Sequence, residues 1–255
     1  MHLIRVTIKR LRALLRLMRP VISEMDFDRE NARLKKAARR LSLVRDSGVA
    51  RQTLAILAVS RGRERDAVAA VLAGLNGDGE PQVEISKANK QIELDLEQTR
   101  RNLHRIRISG RELKAIGPGL REVYRQCRKR MQNALAQGDD EAFHKWRMRV
   151  KNLYYELQTL QPVWAERLDK VARLRQLQDE IGADHDLVVL RRSLRKTPDA
   201  FGGAETVEQL VGPLNDKSRK LRRVTEPLGK TIFDQTSRRF VRELGQHWSK
   251  WRKMK

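Results

Sequence analysis

With 255 residues, 40% of them hydrophobic, the chain is long enough for one large domain or two small ones around a sizeable core. The 55 Lys and Arg against 32 Asp and Glu give a net charge of +23, which selects polyanions as partners: nucleic acid, an anionic surface or a polyphosphorylated molecule. Only 5% of residues are aromatic, yet helical apolar periodicity runs nearly end to end, which excludes a disordered chain and predicts an all-α protein.

A single cysteine, Cys127, excludes an intrachain disulfide, a Cys-based zinc site and a thiol relay, and fits a reducing cytoplasm. Near the amino terminus Arg5, Lys9, Arg10, Arg12, Arg16 and Arg19 interrupt every apolar run, so no signal-peptide core is expected there. Nor does any later stretch approach the roughly 18 apolar residues of a membrane span.

The first helix is predicted over 2–19, with Pro20 at its end. On it His2, Arg5, Lys9, Arg12, Arg16 and Arg19 fall within an arc of about 100° that runs ~26 Å along the axis. Apolar residues take most of the remaining surface, and the first acidic residue is Glu24. Like charges at i,i+4, such as Arg5/Lys9 and Arg12/Arg16, each cost a helix about 0.2–0.5 kcal/mol. A bound anion would remove that cost.

A second helix is expected over 27–45, with Leu34, Ala38 and Leu41 inward and Arg45 on the same side, which ranks Arg45 above Lys35 and Lys36 as a ligand contact. Helical pattern then covers 49–75, a loop 76–81, and another helix 86–106. Gly117-Pro118-Gly119 reads as a sharp break before a connecting helix over 120–137, whose Arg121, Arg125 and Arg128 form a third cationic stripe. Gly138-Asp139-Asp140 precedes a helix over 141–160, and either Asp could cap it. Further helices are predicted over 164–181, 184–195, 204–225 and 236–252, separated at Gly182, Thr197-Pro198-Asp199, Gly202-Gly203 and Pro227.

Two patterns recur. His2-x-x-Arg5-x-x-x-Lys9-x-Leu11 returns as His144-x-x-Arg147-x-x-x-Lys151-x-Leu153, each His eighteen residues before a Pro. Arg45-Asp46-x-x-Val49-x-Arg51-x-x-Leu54 returns as His185-Asp186-x-x-Val189-x-Arg191-x-x-Leu194. The recurrence predicts two related helical halves, 1–113 and 143–255, joined by a connecting segment over 114–142. A more ordinary account of Asp46 and Asp186 is that each caps a helix start.

Basic neighbours around His2 and His144 would repel a metal cation, and no cluster of nucleophile, acid/base pair or metal-binding carboxylates is evident. Neither a Walker loop nor a dinucleotide fingerprint is present. No metal, cofactor or catalytic residue is therefore expected. Nucleic-acid binding stays open through the Lys and Arg stripes, although the chain has few aromatics for stacking and no recognisable base-reading helix.

These residues resemble the CHAD family, the conserved histidine α-helical domain. The resemblance is carried by the His2 motif, Arg45-Asp46, Gly119-Leu120 with Tyr124-Arg125, Phe143-His144-x-Trp146-Arg147-x-x-Val150-Lys151-x-Leu153-x-Tyr155, and His185-Asp186-Leu187, in that order. It implies a single domain of two helical bundles related by a pseudo-twofold axis, with a basic central surface or pore that binds inorganic polyphosphate without turnover. By the same resemblance, phosphate contacts are expected at His2, Arg5, Lys9, Arg12, Arg16, Arg45, Arg121, Arg125, Arg128, His144, Arg147 and Lys151. Tyr154 and Gln158 stand where the first copy has Arg12 and Arg16, so the second half is expected to hold fewer phosphates. A cytoplasmic protein associated with polyphosphate granules is the expectation. An RNA- or DNA-binding protein and a phosphatase or phosphotransferase using His144 or His185 are the alternatives.

Overall fold

The computed structural model describes residues 2–43, 68, 71, 82–105, 113–163 and 168–254. Among these residues every extended regular element is a helix: α1 (His2–Met18), α2 (Glu24–Leu43), α3 (Gln82–Arg105), α4 (Leu113–Gln137), α5 (Asp140–Thr159), α6 (Leu168–Lys196), α7 (Ala204–Ile232) and α8 (Ser237–Lys253). Arg45-Asp46, the 76–81 loop and all but Val68 and Val71 of the predicted 49–75 helix lie outside the described residues.

Local chemistry sets several boundaries. Pro20 ends α1 in a short 3-10 turn, and Ser23 Oγ then accepts the Asp26 backbone N–H at 3.0 Å to start α2 three residues earlier than expected. Gly138 takes φ 71°, a left-handed turn that lets Asp139 cap α5 by accepting the Ala142 N–H at 2.7 Å. Thr236 caps α8 in the same way.

Three expected breaks are absent. Gly117-Pro118-Gly119 lies inside α4, and its glycines serve packing: a Cβ on Gly117 would come within 3.3 Å of Val241, and one on Gly119 within 3.5 Å of the Arg16 carbonyl oxygen. Gly182 does not divide α6, because the buried face continues through Val171, Leu174, Leu177, Ile181, Asp184 and Val188 at helical spacing. Asp186 therefore lies in a helix interior, which rules out its capping role. Pro227 is likewise inside α7, where tertiary contacts override its breaking tendency.

The two helices that carry the repeated motif pack on each other. α1 also contacts α2 and α4, while α5 lies between α4 and α6. The main core joins α1, α4, α5, the first half of α6, the end of α7 and α8 around Trp146 and Tyr124. Tyr124 stacks on Phe240 at 4.2 Å and donates its hydroxyl to the Ile232 carbonyl at 3.0 Å, fixing α4 to the α7–α8 corner. A second cluster packs α1 against α2 and α3, and a third joins α6 and α7 to Val68 and Val71.

Gly229 is the tightest point of this packing. A Cβ there would lie 2.8 Å from Met131 Sδ and 2.9 Å from the ring of fully buried Trp146. Although Ala favours a helix over Gly by about 1 kcal/mol, Gly229→Ala is expected to destabilise the protein by about 1–3 kcal/mol through overpacking. Chemical denaturation of the variant checks this, and an unchanged midpoint would show that Met131 and Trp146 yield without cost.

Candidate functional site

The apolar side of α1 is held by two cores, which fixes the orientation of its charged stripe. Arg5, Lys9, Arg12, Arg16 and the following Arg19 line a groove of about 470 Å³ between α1, α2 and α5. α2 contributes Lys35 and Asn31 among apolar residues, and α5 contributes Met148, Lys151, Asn152 and Tyr155. No carboxylate lines the groove among the described residues.

Several of these cations are positioned by neutral partners. Arg5 donates to the Leu41 carbonyl in the last turn of α2 at 2.9 Å, where a cation also meets the negative end of the helix dipole. Arg12 donates to Asn31 Oδ1 at 3.3 Å, and the Lys9 ammonium lies 5.5 Å from the centre of the Tyr155 ring. Burial, and then the like charge of Arg16, pull the Arg12 guanidinium below its usual pKa. An anion in the groove would offset both effects.

Arg16 has an acidic partner beneath the groove. Its Nε donates to Glu156 Oε1 at 3.1 Å, and the Glu156 side chain is fully buried between the motif helices. Burial pushes the Glu156 carboxyl up to about 7, against the opposing pull of Arg16 and Arg149. The second oxygen, Oε2, has no hydrogen-bond partner among the described residues.

Residues 144, 148, 151 and 155 share one face of α5, so His144 lies on the face that borders the groove, about 10 Å along the axis from Lys151. There its ring meets that of His185 at 5.0 Å, beside Arg192. Burial, followed by repulsion from His185, Arg147 and Arg192, lowers the His144 pKa. His185 Nδ1 is 3.5 Å from Asp186 Oδ1 without a hydrogen bond. Among the described residues no group of three or more His, Cys, Asp or Glu is placed to hold a metal ion.

The expected ligand contacts therefore divide. Arg5, Lys9, Arg12, Arg16 and Lys151 share the groove, and His144 with Arg147 continue along the same helix. Arg121 and Arg125 line a different cleft, between α4 and α8. Arg125 forms two hydrogen bonds to Glu122, at 2.8 and 2.6 Å, and this pairing with Gln126 pulls the Glu122 carboxyl to about 2. Arg128 donates to the Gln235 carbonyl at 3.3 Å. Within the third stripe Arg125 thus pairs with the i−3 acid and Arg128 with the α7–α8 corner. Only the helical backbone of His2 is described, and Arg45 lies outside the described residues.

Sequence reasoning set Lys35 aside, and the structure places it in the groove. Its position on α2 one turn before Ala38, and one turn after Asn31, is the signal that pointed there. Glu156 was also missed, although it is a lone acid at the edge of the apolar arc of α5.

The fold and site define an all-helical domain whose central pair of helices opens a cationic groove. A family model for the CHAD domain matches residues 1–195, from α1 to the end of α6, and the chain belongs to that family. No match is found among curated proteins or among solved structures.

Proposed function

We propose that the groove between α1, α2 and α5 binds inorganic polyphosphate, without turning it over. The observation that carries this is the convergence of Arg5, Lys9, Arg12, Arg16 and Arg19 from one strip of chain with Lys35 and Lys151 from the facing helices, with no carboxylate in the lining among the described residues. A flexible chain of identical anions can engage several such donors at once without base- or shape-specific contacts. Arg supplies forked hydrogen bonds to phosphate oxygens, and Lys a mobile point charge. The CHAD match supports the same ligand class, and such binding would tether the chain to polyphosphate deposits.

The test is a competition titration at near-physiological salt between long-chain polyphosphate and single-stranded RNA of equal phosphate content. Polyphosphate is expected to win. In Lys9→Ala/Lys151→Ala, which removes one cation from each of two facing walls, its affinity should fall about tenfold or more and the salt dependence should flatten by one to two released ions. Equal binding of both ligands, unaffected by the substitutions, would mean that the net charge acts diffusely. Shortened polyphosphate chains or released phosphate after incubation would establish an enzyme instead.

A further inference from the structure

The cleft between α4 and α8 shares no lining residue with the groove and is about twice as large, 960 Å³ against 470 Å³. Its walls come from helices that meet through glycines. Gly117 faces Val241, and a Cβ on Gly245 would lie 3.5 Å from Leu113 Cδ2. The floor is apolar, built from Leu113, Val241 and Trp248, whereas Arg121, Arg125, Arg252 and Lys253 stand at the rim. Among the described residues Glu122 is the one acid in the lining, and Arg125 already engages both of its oxygens.

From this combination we infer a binding site for an amphiphilic anion, an acyl or alkyl chain ending in a phosphate or carboxylate. An inorganic polyanion gains nothing from an apolar floor, and an uncharged hydrocarbon gains nothing from four cations around it. The volume lies within the ~300–1,000 Å³ typical of small-molecule sites. α8 lies beyond the family match, so one wall of this site belongs to the part of the chain that the family model does not cover.

The experiment is calorimetric titration of the full chain with decyl phosphate held below its aggregation concentration, alongside inorganic phosphate and uncharged decyl maltoside. Decyl phosphate is expected to bind at one site at least tenfold more tightly than either control. Gly245→Leu, which fills the slot, should reduce that affinity at least tenfold while leaving polyphosphate binding in the groove unchanged. If Gly245→Leu lowers the melting temperature severely, Arg252→Glu/Lys253→Glu on the exposed rim replaces it, and should abolish the preference for decyl phosphate over decyl maltoside. The inference is overturned if decyl phosphate binds no better than inorganic phosphate, or if its binding ignores these substitutions and is displaced by polyphosphate. Capture of anionic vesicles without binding of the monomer would overturn it too, by assigning a membrane surface. Loss of polyphosphate binding in the groove variants leaves these outcomes unaffected, so the two sites fail separately.

Discussion

Arg222→Ala is expected to destabilise the protein by about 3–5 kcal/mol at neutral pH, because it removes the shared partner of a buried carboxylate, Asp184, and a partly buried one, Asp140. Arg222 Nε donates to Asp184 Oδ2 at 3.0 Å, and its terminal nitrogens donate to Asp140 Oδ1 and the Gly138 carbonyl, each at 2.7 Å. Its guanidinium also lies 4.5 Å from the centre of the Phe143 ring. Asp184 is only 2% exposed and would keep Ser218 alone as a partner. Asp140 would keep Arg191 and the more distant Arg192. One side chain thus ties α7 to α6 and to the start of the second motif helix.

The pH dependence distinguishes this cause from simple loss of packing. Burial would raise the Asp140 pKa, but Arg222 and Arg191 outweigh it and hold the carboxyl below its usual 3.8. A depressed folded-state pKa contributes stability that is complete above the unfolded value and is lost as pH falls through the folded one. The deficit of Arg222→Ala should therefore be largest at pH 6–8 and shrink below about pH 4, as protonation removes the Asp140 charge that Arg222 holds. Chemical denaturation at pH 7 and pH 3 measures both. A deficit under 1 kcal/mol at pH 7, or one independent of pH, would mean that solvent replaces the guanidinium.

None of this network was legible as such in the sequence. Asp140 was visible only as one of two candidate caps, and Arg191 as the repeated residue of a motif. What the sequence showed well was whatever depends on one helix: the charged arc of α1, the inward face of α2, and the turn at Gly138-Asp139. What it hid depends on the helix opposite. Gly117-Pro118-Gly119 looks like a turn until α1 and α8 are seen to press against its two glycines. The partners of Arg125 are likewise hidden until Glu122 is seen to pair with it, and Lys35 stands below Arg45 until the groove between the helices is seen to include it. Helix periodicity reports which face is buried, but it cannot report which buried face meets which.

Glu156→Gln is expected to reverse the sign usually found when a salt bridge is broken, raising stability at pH 8 by about 3 kcal/mol while leaving pH 4 nearly unchanged. The folded-state carboxyl titrates near 7, against 4.5 for an ordinary Glu, because burial disfavours its charge more than Arg16 and Arg149 favour it. Below about pH 4.5 both folded and unfolded chains hold the proton. As pH rises towards 7 the unfolded chain releases it first, so stability falls, and above 7 the loss is complete. Gln mimics the protonated form and can still accept from Arg16, so its stability should not decline over that interval. The groove should respond in parallel: ionised Glu156 competes with phosphate for Arg16, so wild-type affinity for polyphosphate should rise as pH falls from 8 to 6. Glu156→Gln should bind tightly throughout that range. Any rise common to both proteins at still lower pH is then assigned to His144, whose pKa is held below the usual histidine value by burial and by the neighbouring His185. Parallel stability curves for the two proteins between pH 5 and 8 would refute the buried-charge account. Equal pH responses of their binding would show that Arg16 stays with its partner when the groove is occupied.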